Sequence, residues 1–241
     1  MKQIIVEEQK KTLEHQAEDL RFFNENLQKI VDEKTTNILQ LQNALLRTMA
    51  ELVEYRDDIT GRHIERTQRI LRILMNEIVE SGIYQEETKD WDIDILVLSC
   101  QLHDVGKIFT SDNILRKPGK LSLDEYEEMK VHTRIGKQIV EKVENLTDES
   151  EFLKFAKIFA TSHHEKWDGT GYPNGLKGAD IPLLGRIMAI ADVYDALVSV
   201  RPYKSAYSHE EAVKIILEGR GTKFDPVLLD VFIKVSDKLR N

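Results

Sequence analysis

The chain has 241 residues, of which 41% are hydrophobic and 32% charged, with a formal net charge of −8. This length allows one substantial core and a smaller appendage, and the acidic balance argues against binding to a nucleic-acid polymer. The single cysteine, Cys100, excludes an intramolecular disulfide framework and fits a reducing compartment. No run approaches the ~20 apolar residues of a membrane span, and the amino terminus lacks an apolar signal region. We expect a cytoplasmic protein, or the cytoplasmic part of a larger one.

Residues 1–46 predict a long helical stalk. Residues 1–60 contain no glycine or proline, and steps of three and four residues from Leu13 place apolar side chains at nine of twelve seam positions. Asn24 falls at an a position of this heptad register, where a lone asparagine often fixes a parallel two-stranded coil. We therefore expect a coiled coil that forms a homodimer. The alternative is one amphipathic helix folded back on the rest of the chain.

Residues 47–241 predict an all-α body of about eight helices. No segment shows sustained strand alternation. Ser122 with Glu125 and Ser208 with Glu211 have capping-box spacing, and Asp225 stands before a proline as a helix N-cap. The main helical patterns cover residues 94–107, 122–143, 151–164, 185–200, 208–219 and 224–239.

Five of the seven histidines, together with two aspartates, predict a metal site. A single histidine on an apolar helix is usually a core residue, but this explanation would have to be repeated five times. Imidazole and carboxylate groups are usual ligands of manganese, iron and zinc. His15 and His209 are expected to be solvated. The candidate ligands are His63, His103, Asp104, His132, His163, His164 and Asp192.

Two carboxylate motifs carry most of this argument. Asp104 lies in an apolar segment, where a charge is costly unless it is paired; a cation or a salt bridge to Lys107, three residues on, would offset that cost. Cys100 is expected to be a core residue. Asp192 and Asp195 share one side of another apolar helix, where one could neutralise a metal while the other orients a water or a ligand group.

The ordered motifs resemble the HD-GYP group of the HD phosphohydrolase superfamily. They are His63 in "DDITGRHIER", "HDVGK", His132 in "VHTRIG", "HHEKWDGTGYP", "ADVYDAL", "RPYK" and "GTKFDP". The resemblance runs from about residue 47 to 235 and implies an HD-domain helical bundle. Members are typically cyclic di-GMP phosphodiesterases in bacterial signalling, often joined to a receiver or sensor domain or acting beside a GGDEF-type partner.

The resemblance implies two divalent metal ions. One would be bound by His63, His103, Asp104 and Asp192, and Asp104 would bridge to a second ion bound by His132, His163 and His164. Iron and manganese are favoured, with zinc, magnesium, nickel and cobalt as alternatives. Some members bind a third ion through a glutamate where this chain has Ile59, so we expect two.

The resemblance also implies the reaction and the substrate contacts. A hydroxide activated by two metals would cleave cyclic di-GMP to pGpG and then GMP, with Lys107 stabilising the leaving oxygen and Asp195 orienting water or substrate. Substrate contacts are expected from Gly171, Tyr172, Arg201 and Lys204. Two alternatives remain: hydrolysis of another cyclic dinucleotide or nucleotide, and a non-catalytic cyclic di-GMP receptor.

Overall fold

The computed structural model describes residues 1–56, 62–147, 150–200 and 205–240. Within these ranges every regular element is a helix and no strand is present, so the predicted all-α class is confirmed. Short 3-10 helices cover Cys100–Leu102, Val105–Phe109, Gly178–Asp180 and Ser236–Leu239. The α-helices are α1 (Lys2–Glu54), α2 (His63–Glu80), α3 (Gln85–Thr88), α4 (Ile93–Ser99), α5 (Asp112–Leu115), α6 (Leu123–Glu144), α7 (Glu151–Ser162), α8 (Leu183–Val198), α9 (His209–Glu218) and α10 (Pro226–Val235).

The chain divides into two compact units, Met1–Thr48 and Met49–Asn241. The first unit is a single helical segment, and the long helix expected there is present. Its seam side chains are largely exposed, Leu20 by 60% and Leu41 by 61%. An apolar seam of this kind suits pairing between helices, and coiled-coil dimerisation stays a prediction. Among the described residues, no helix is long and apolar enough to cross a membrane.

The predicted caps fix the starts of three helices in the second unit. The Ser122 hydroxyl accepts from the Glu125 N–H at 3.3 Å, and the Glu125 carboxylate accepts from the Ser122 N–H at 2.6 Å. Ser208 and Glu211 form the same reciprocal pair. Asp225 accepts from backbone N–H groups in the first turn of α10. These bonds satisfy donors that the first turn of a helix leaves unpaired.

Helix α8 is the centre of the second unit. Eleven of its 16 residues are buried, and α2, α7 and α9 pack around it. Ile187, Met188 and Tyr194 are among its largest fully buried side chains. Cys100, fully buried in the same core, is a core residue as expected. The site described below is therefore built on packed helices.

The segment 94–107 differs from its prediction as one continuous helix. Helix α4 ends at Ser99, a 3-10 turn follows, and His103 and Asp104 lie in a bend before the next 3-10 helix. A Cβ on Gly106 would lie 1.9 Å from the His132 carbonyl oxygen of α6. Only glycine permits this approach, which brings the His-Asp pair against α6.

Candidate metal centre

The structure brings all seven predicted ligand residues together in two neighbouring groups. In each group one ligand atom from every residue lies within 4.8 Å of the others. The first group is Asp104, His132, His163 and His164, and the second is His63, His103 and Asp192. Asp104 Oδ2 lies 3.3 Å from His103 Nε2, so this aspartate also faces the second group.

Backbone carbonyls orient three of the histidine rings. The Nδ1 atom lies 2.9 Å from the Cys100 carbonyl oxygen for His103, 2.6 Å from Met129 for His132, and 2.8 Å from Phe159 for His163. Each acceptor precedes its histidine by three or four residues. A ring whose Nδ1–H donates to a carbonyl presents an unprotonated Nε2, the form that binds a metal.

Asp104 is the central carboxylate of the cluster. Its Oδ1 lies 3.3 Å from His132 Nε2 and 3.6 Å from His163 Nε2, and its Oδ2 lies 2.7 Å from Lys107 Nζ. The salt bridge considered from the sequence is therefore present. Oδ1 is buried without a hydrogen-bond partner, which leaves a carboxylate oxygen available to a cation.

Burial and charge leave the first group suited to metal binding at neutral pH. Burial lowers the pKa of His132 to about 4, although the charge of Asp104 opposes the shift. Burial and the neighbouring His163 and His132 hold the pKa of His164 well below its usual range. Burial would raise the pKa of Asp104, but the nearby Lys107 and His103 hold it well below its usual range. At neutral pH this group therefore offers the neutral imidazoles of His132 and His164 and the ionised carboxylate of Asp104.

Asp195 contacts the ring nitrogen of His63 that does not face the other candidate ligands. Its Oδ2 lies 2.7 Å from His63 Nδ1, and the Arg66 guanidinium donates to both its oxygens. The carboxylate is 1% exposed, so both oxygens are committed to protein partners. This placement favours a positioning role over the water-orienting role expected from the sequence. Burial lowers the pKa of His63, but Asp195, Asp192 and Glu54 outweigh it and raise the pKa to about 9.

The donor set fits divalent cations. It consists of nitrogen and oxygen donors without a thiolate, as manganese, iron and zinc accept. His103, His132 and His163 are 1–2% exposed, and the unpartnered Asp104 Oδ1 lies among them. These residues therefore meet the requirements for holding two cations side by side.

Glu165 fixes the Gly-Tyr-Pro turn beside the cluster. Its buried carboxylate accepts from the Asn174 N–H at 2.8 Å and from the Leu176 N–H at 3.0 Å. A Cβ on Gly171 would lie 2.3 Å from the Lys166 backbone nitrogen, so glycine is needed for this close approach. The result is a turn tied back to the segment that carries the two adjacent histidines.

The turn forms one wall of an open cleft of about 340 Å³. The Tyr172 ring lies 4.7 Å from the His164 ring and 6.0 Å from the Tyr126 ring, measured between centroids. Lys166 and Lys223 also line the cleft. Burial lowers the pKa of Lys223, opposed by the charge of Asp192. The sequence analysis missed Tyr126, Lys166 and Lys223 as cleft residues, although Lys223 stands in the quoted "GTKFDP" motif.

Other predicted residues have different outcomes. His209 was wrongly expected to be solvated: it is partly buried, and its Nδ1 lies 2.7 Å from the Tyr194 hydroxyl. His15 is exposed, 3.6 Å from Asp19. Arg201, Lys204 and Ile59 lie outside the described residues. Glu54, which the sequence analysis did not consider, is buried with its Oε1 3.8 Å from His63 Nε2.

A helical bundle that gathers four further histidines and one further aspartate around one His-Asp pair is characteristic of an HD-type domain. A family model described as "HD domain" matches residues 36–228. The chain therefore belongs to the HD-domain family, as its HD-GYP motifs predicted.

Two curated relatives and one solved structure show what the chain is similar to. It is 44% identical over 211 residues to a protein of Vibrio cholerae named "Probable cyclic di-GMP phosphodiesterase", covering 87% of this chain and 48% of that one. It is 36% identical over 214 residues to "3'3'-cGAMP-specific phosphodiesterase 2" of the same organism, covering 89% and 38%. A crystal structure of a cyclic GMP-AMP-specific phosphodiesterase of V. cholerae matches with a TM-score of 0.52 at 22% identity, covering 80% and 49%, which supports the fold. The chain thus spans about half the length or less of these relatives.

Proposed function

We propose that the chain is a metal-dependent phosphodiesterase that hydrolyses cyclic di-GMP to linear pGpG, with GMP as the product of a second cut. The observation that carries this proposal is the meeting of two ligand groups at Asp104, whose Oδ1 has no hydrogen-bond partner. Two cations side by side match the charge of a phosphodiester in its transition state. The names of the curated relatives support this class of substrate.

The protein's own groups have distinct parts in this reaction. When bound, the cations would lower the pKa of a water and offset phosphate charge. The backbone carbonyls behind His103, His132 and His163 fix the rings. Lys107, 2.7 Å from Asp104, keeps that carboxylate ionised and places a positive charge beside the departing oxygen. Asp195 holds the ring of His63.

The cleft beside the cluster suits a nucleotide with more than one phosphate. Tyr126 and Tyr172 offer ring faces to a base, while Lys166 and Lys223 offer ammonium groups to a phosphate. Gly171 allows the turn to approach the histidines closely. Arg201 and Lys204 are proposed as further substrate contacts on the strength of the "RPYK" motif alone.

The alternative substrate is another cyclic dinucleotide, because one curated relative is named for 3'3'-cGAMP. The alternative function is a non-catalytic receptor. The presence of all seven donors in one cluster favours catalysis, since a receptor does not require a complete metal site.

The test compares metal-loaded wild-type protein with a His103→Ala, Asp104→Ala variant. Each is incubated with cyclic di-GMP, 3'3'-cGAMP, pGpG and a nucleotide monoester, and products are separated by chromatography. We expect two cations per chain and cleavage of cyclic di-GMP by the wild type alone. Cleavage of only another compound overturns the substrate. Nucleotide binding without cleavage by either protein establishes the receptor.

We also propose that the chain acts in the cytoplasm and forms a homodimer through residues 1–46. The exposed apolar seam of α1 supports the pairing. An upstream receiver or sensor domain, or a GGDEF-type partner, would supply the signal. Because the stalk precedes His63 in the chain, a change of helix register could alter this ligand's position.

A further inference from the structure

Glu54, the last residue of α1, carries a buried carboxylate that the two ligand groups do not include. The residue is 9% exposed, and neither Oε1 nor Oε2 has a hydrogen-bond partner. An ionised carboxylate is among the most costly groups to bury without a partner. No described residue lies within hydrogen-bond distance of either oxygen, so the carboxylate calls for a closer positive partner than His63, which is 3.8 Å away.

The surroundings of Glu54 point to a cation. Its Oε1 lies 3.8 Å from His63 Nε2, and the same nitrogen lies 3.7 Å from Asp192 Oδ1 and 3.5 Å from His103 Nε2. A cavity of about 30 Å³ is lined by all four residues. This volume is sufficient for a water or an ion.

In the described part of the chain, the buried side-chain nitrogen and oxygen atoms without a hydrogen-bond partner are concentrated around this cavity. Besides the two Glu54 oxygens, they are the Asp104 Oδ1 and the Gln101 Nε2. All three residues line the cavity. Buried polar atoms without partners are rare, and each requires an explanation such as an ion or a water.

We propose that Glu54 supplies a further carboxylate to the cation bound by His63, His103 and Asp192, and that Gln101 donates to water in the same cavity. Glu54 lies outside the group whose atoms are all within 4.8 Å of one another, but no hydrogen bond holds its side chain in place. The carboxylate can therefore turn toward a cation. This inference rests on the proposed function, because it requires a cation at that position.

Glu77 provides a matched comparison within the same protein. It is also buried, at 5% exposed, but it accepts from the Ser81 hydroxyl at 2.8 Å and pairs with Lys234. It lies 14 residues after His63 on α2, about 21 Å along the helix axis. Glu77 therefore differs from Glu54 in having partners and in lying away from the cavity.

The experiment titrates the metal-free 241-residue chain, as wild type, Glu54→Gln and Glu77→Gln, with Mn²⁺ and follows the free ion by electron paramagnetic resonance. Wild type should bind two ions. Glu54→Gln should lower the affinity for one ion by about 10- to 100-fold and leave the affinity for the other unchanged. Glu77→Gln should bind both ions with wild-type affinity. Metal-free Glu54→Gln should melt close to the wild-type temperature, because neither Glu54 oxygen has a hydrogen bond to lose, and metal-free Glu77→Gln should melt below it, because Glu77 loses its pair with Lys234.

The failures are distinguishable. If wild type binds two ions and Glu54→Gln binds both with unchanged affinity, this inference alone is wrong. If metal-free Glu54→Gln melts well below wild type, the carboxylate is a structural group and the inference is again overturned. If wild type binds no Mn²⁺, Fe²⁺ or Zn²⁺, the proposed function fails with it.

Discussion

The Nδ1 of His63 lies 2.7 Å from the Oδ2 of Asp195, and this carboxylate is itself held by Arg66. The contact aims Nε2 of His63 at His103 and Asp192. A carboxylate behind a metal-binding histidine fixes the ring and its tautomer. In "ADVYDAL", Asp192 is thus a candidate metal ligand, whereas Asp195 contacts another candidate ligand, His63.

Replacing Asp195 by asparagine should lower the affinity for the cation at the His63 position by about 10- to 100-fold. The amide keeps one acceptor oxygen and replaces the other by a donor, so it can no longer accept from both His63 and Arg66 and holds the imidazole less firmly. Calorimetric titration with Mn²⁺ measures the change. Asp230→Asn serves as the control, because Asp230 is exposed and pairs only with Arg220 in the contacts described. Equal Mn²⁺ affinities in the two variants would show that Asp195 has no role in metal binding.

Cation binding at the His63 position should release a proton. His63 in the metal-free protein has a pKa raised to about 9, so at pH 7 its proton must leave before a metal binds. Affinity should therefore rise with pH between about 6.5 and 9 and level off above it. Titrations in buffers of different ionisation enthalpy count the protons released. A flat affinity across this range contradicts the assignment of a raised pKa to His63.

The stability of the metal-free protein should fall on both sides of neutrality. The raised pKa of His63 stabilises the fold below pH 6.5, and this contribution is lost as pH rises through about 9. The lowered pKa of His132 acts in the opposite direction: its contribution is present above pH 6.5 and is lost as pH falls toward about 4. Urea unfolding between pH 4 and pH 10 measures both limbs. Saturating Mn²⁺ should flatten the alkaline limb, because the bound cation requires neutral His63.

Glu165→Gln should loosen the Gly-Tyr-Pro turn. One acceptor oxygen becomes a donor facing the Asn174 or Leu176 N–H, which costs roughly 1–3 kcal/mol of the free energy of unfolding. We expect the KM for cyclic di-GMP to rise while two cations remain bound. Glu144→Gln is the control, since Glu144 pairs with Lys157 in a partly exposed contact. Loss of cations from Glu165→Gln, with KM unchanged, would contradict the role assigned to this carboxylate.

Lys223→Met should raise the KM for cyclic di-GMP about tenfold or more, because a partly buried ammonium in the cleft is removed while its apolar stem is kept. A charge-assisted hydrogen bond to phosphate contributes about 1.5–3 kcal/mol. Lys214→Met, on α9 and outside the cleft lining, is the control. Steady-state kinetics on metal-loaded protein give the comparison. An unchanged KM would remove Lys223 from the substrate contacts.

A charge on the stalk seam should prevent pairing of α1. Leu41 lies on the predicted seam and is 61% exposed, whereas Leu39 lies off the seam and is 53% exposed. Leu41→Glu should therefore shift sedimentation equilibrium toward monomer, and Leu39→Glu should not. If both variants keep the wild-type mass, the seam does not carry the dimer.

Much of the metal centre could be predicted from the sequence because its ligands stand in short motifs. His103 with Asp104, and His163 with His164, are adjacent in the chain. Asp192 lies in an apolar helix, where a charge is conspicuous. The capping boxes were predictable for the same reason, since their partners lie three residues apart.

What the sequence did not predict depends on contacts between distant segments. Glu54 has no motif around it, and it shares a cavity with Gln101 and His103, which are distant from it in the chain. Helix α4 ends at Ser99 and Gly106 approaches α6 closely, and local helix propensity reports neither feature. Lys223 joins Tyr126 in one cleft only because the fold brings α6 close to a loop that follows it by almost a hundred residues.

The reactivity of Cys100 can report on unfolding of the protein. The thiol is fully buried, and burial raises its pKa far above the usual range, so the folded chain should be inert to thiol-reactive dyes. Because this is the chain's only cysteine, the labelling rate under native conditions would count openings of the core without any engineered probe.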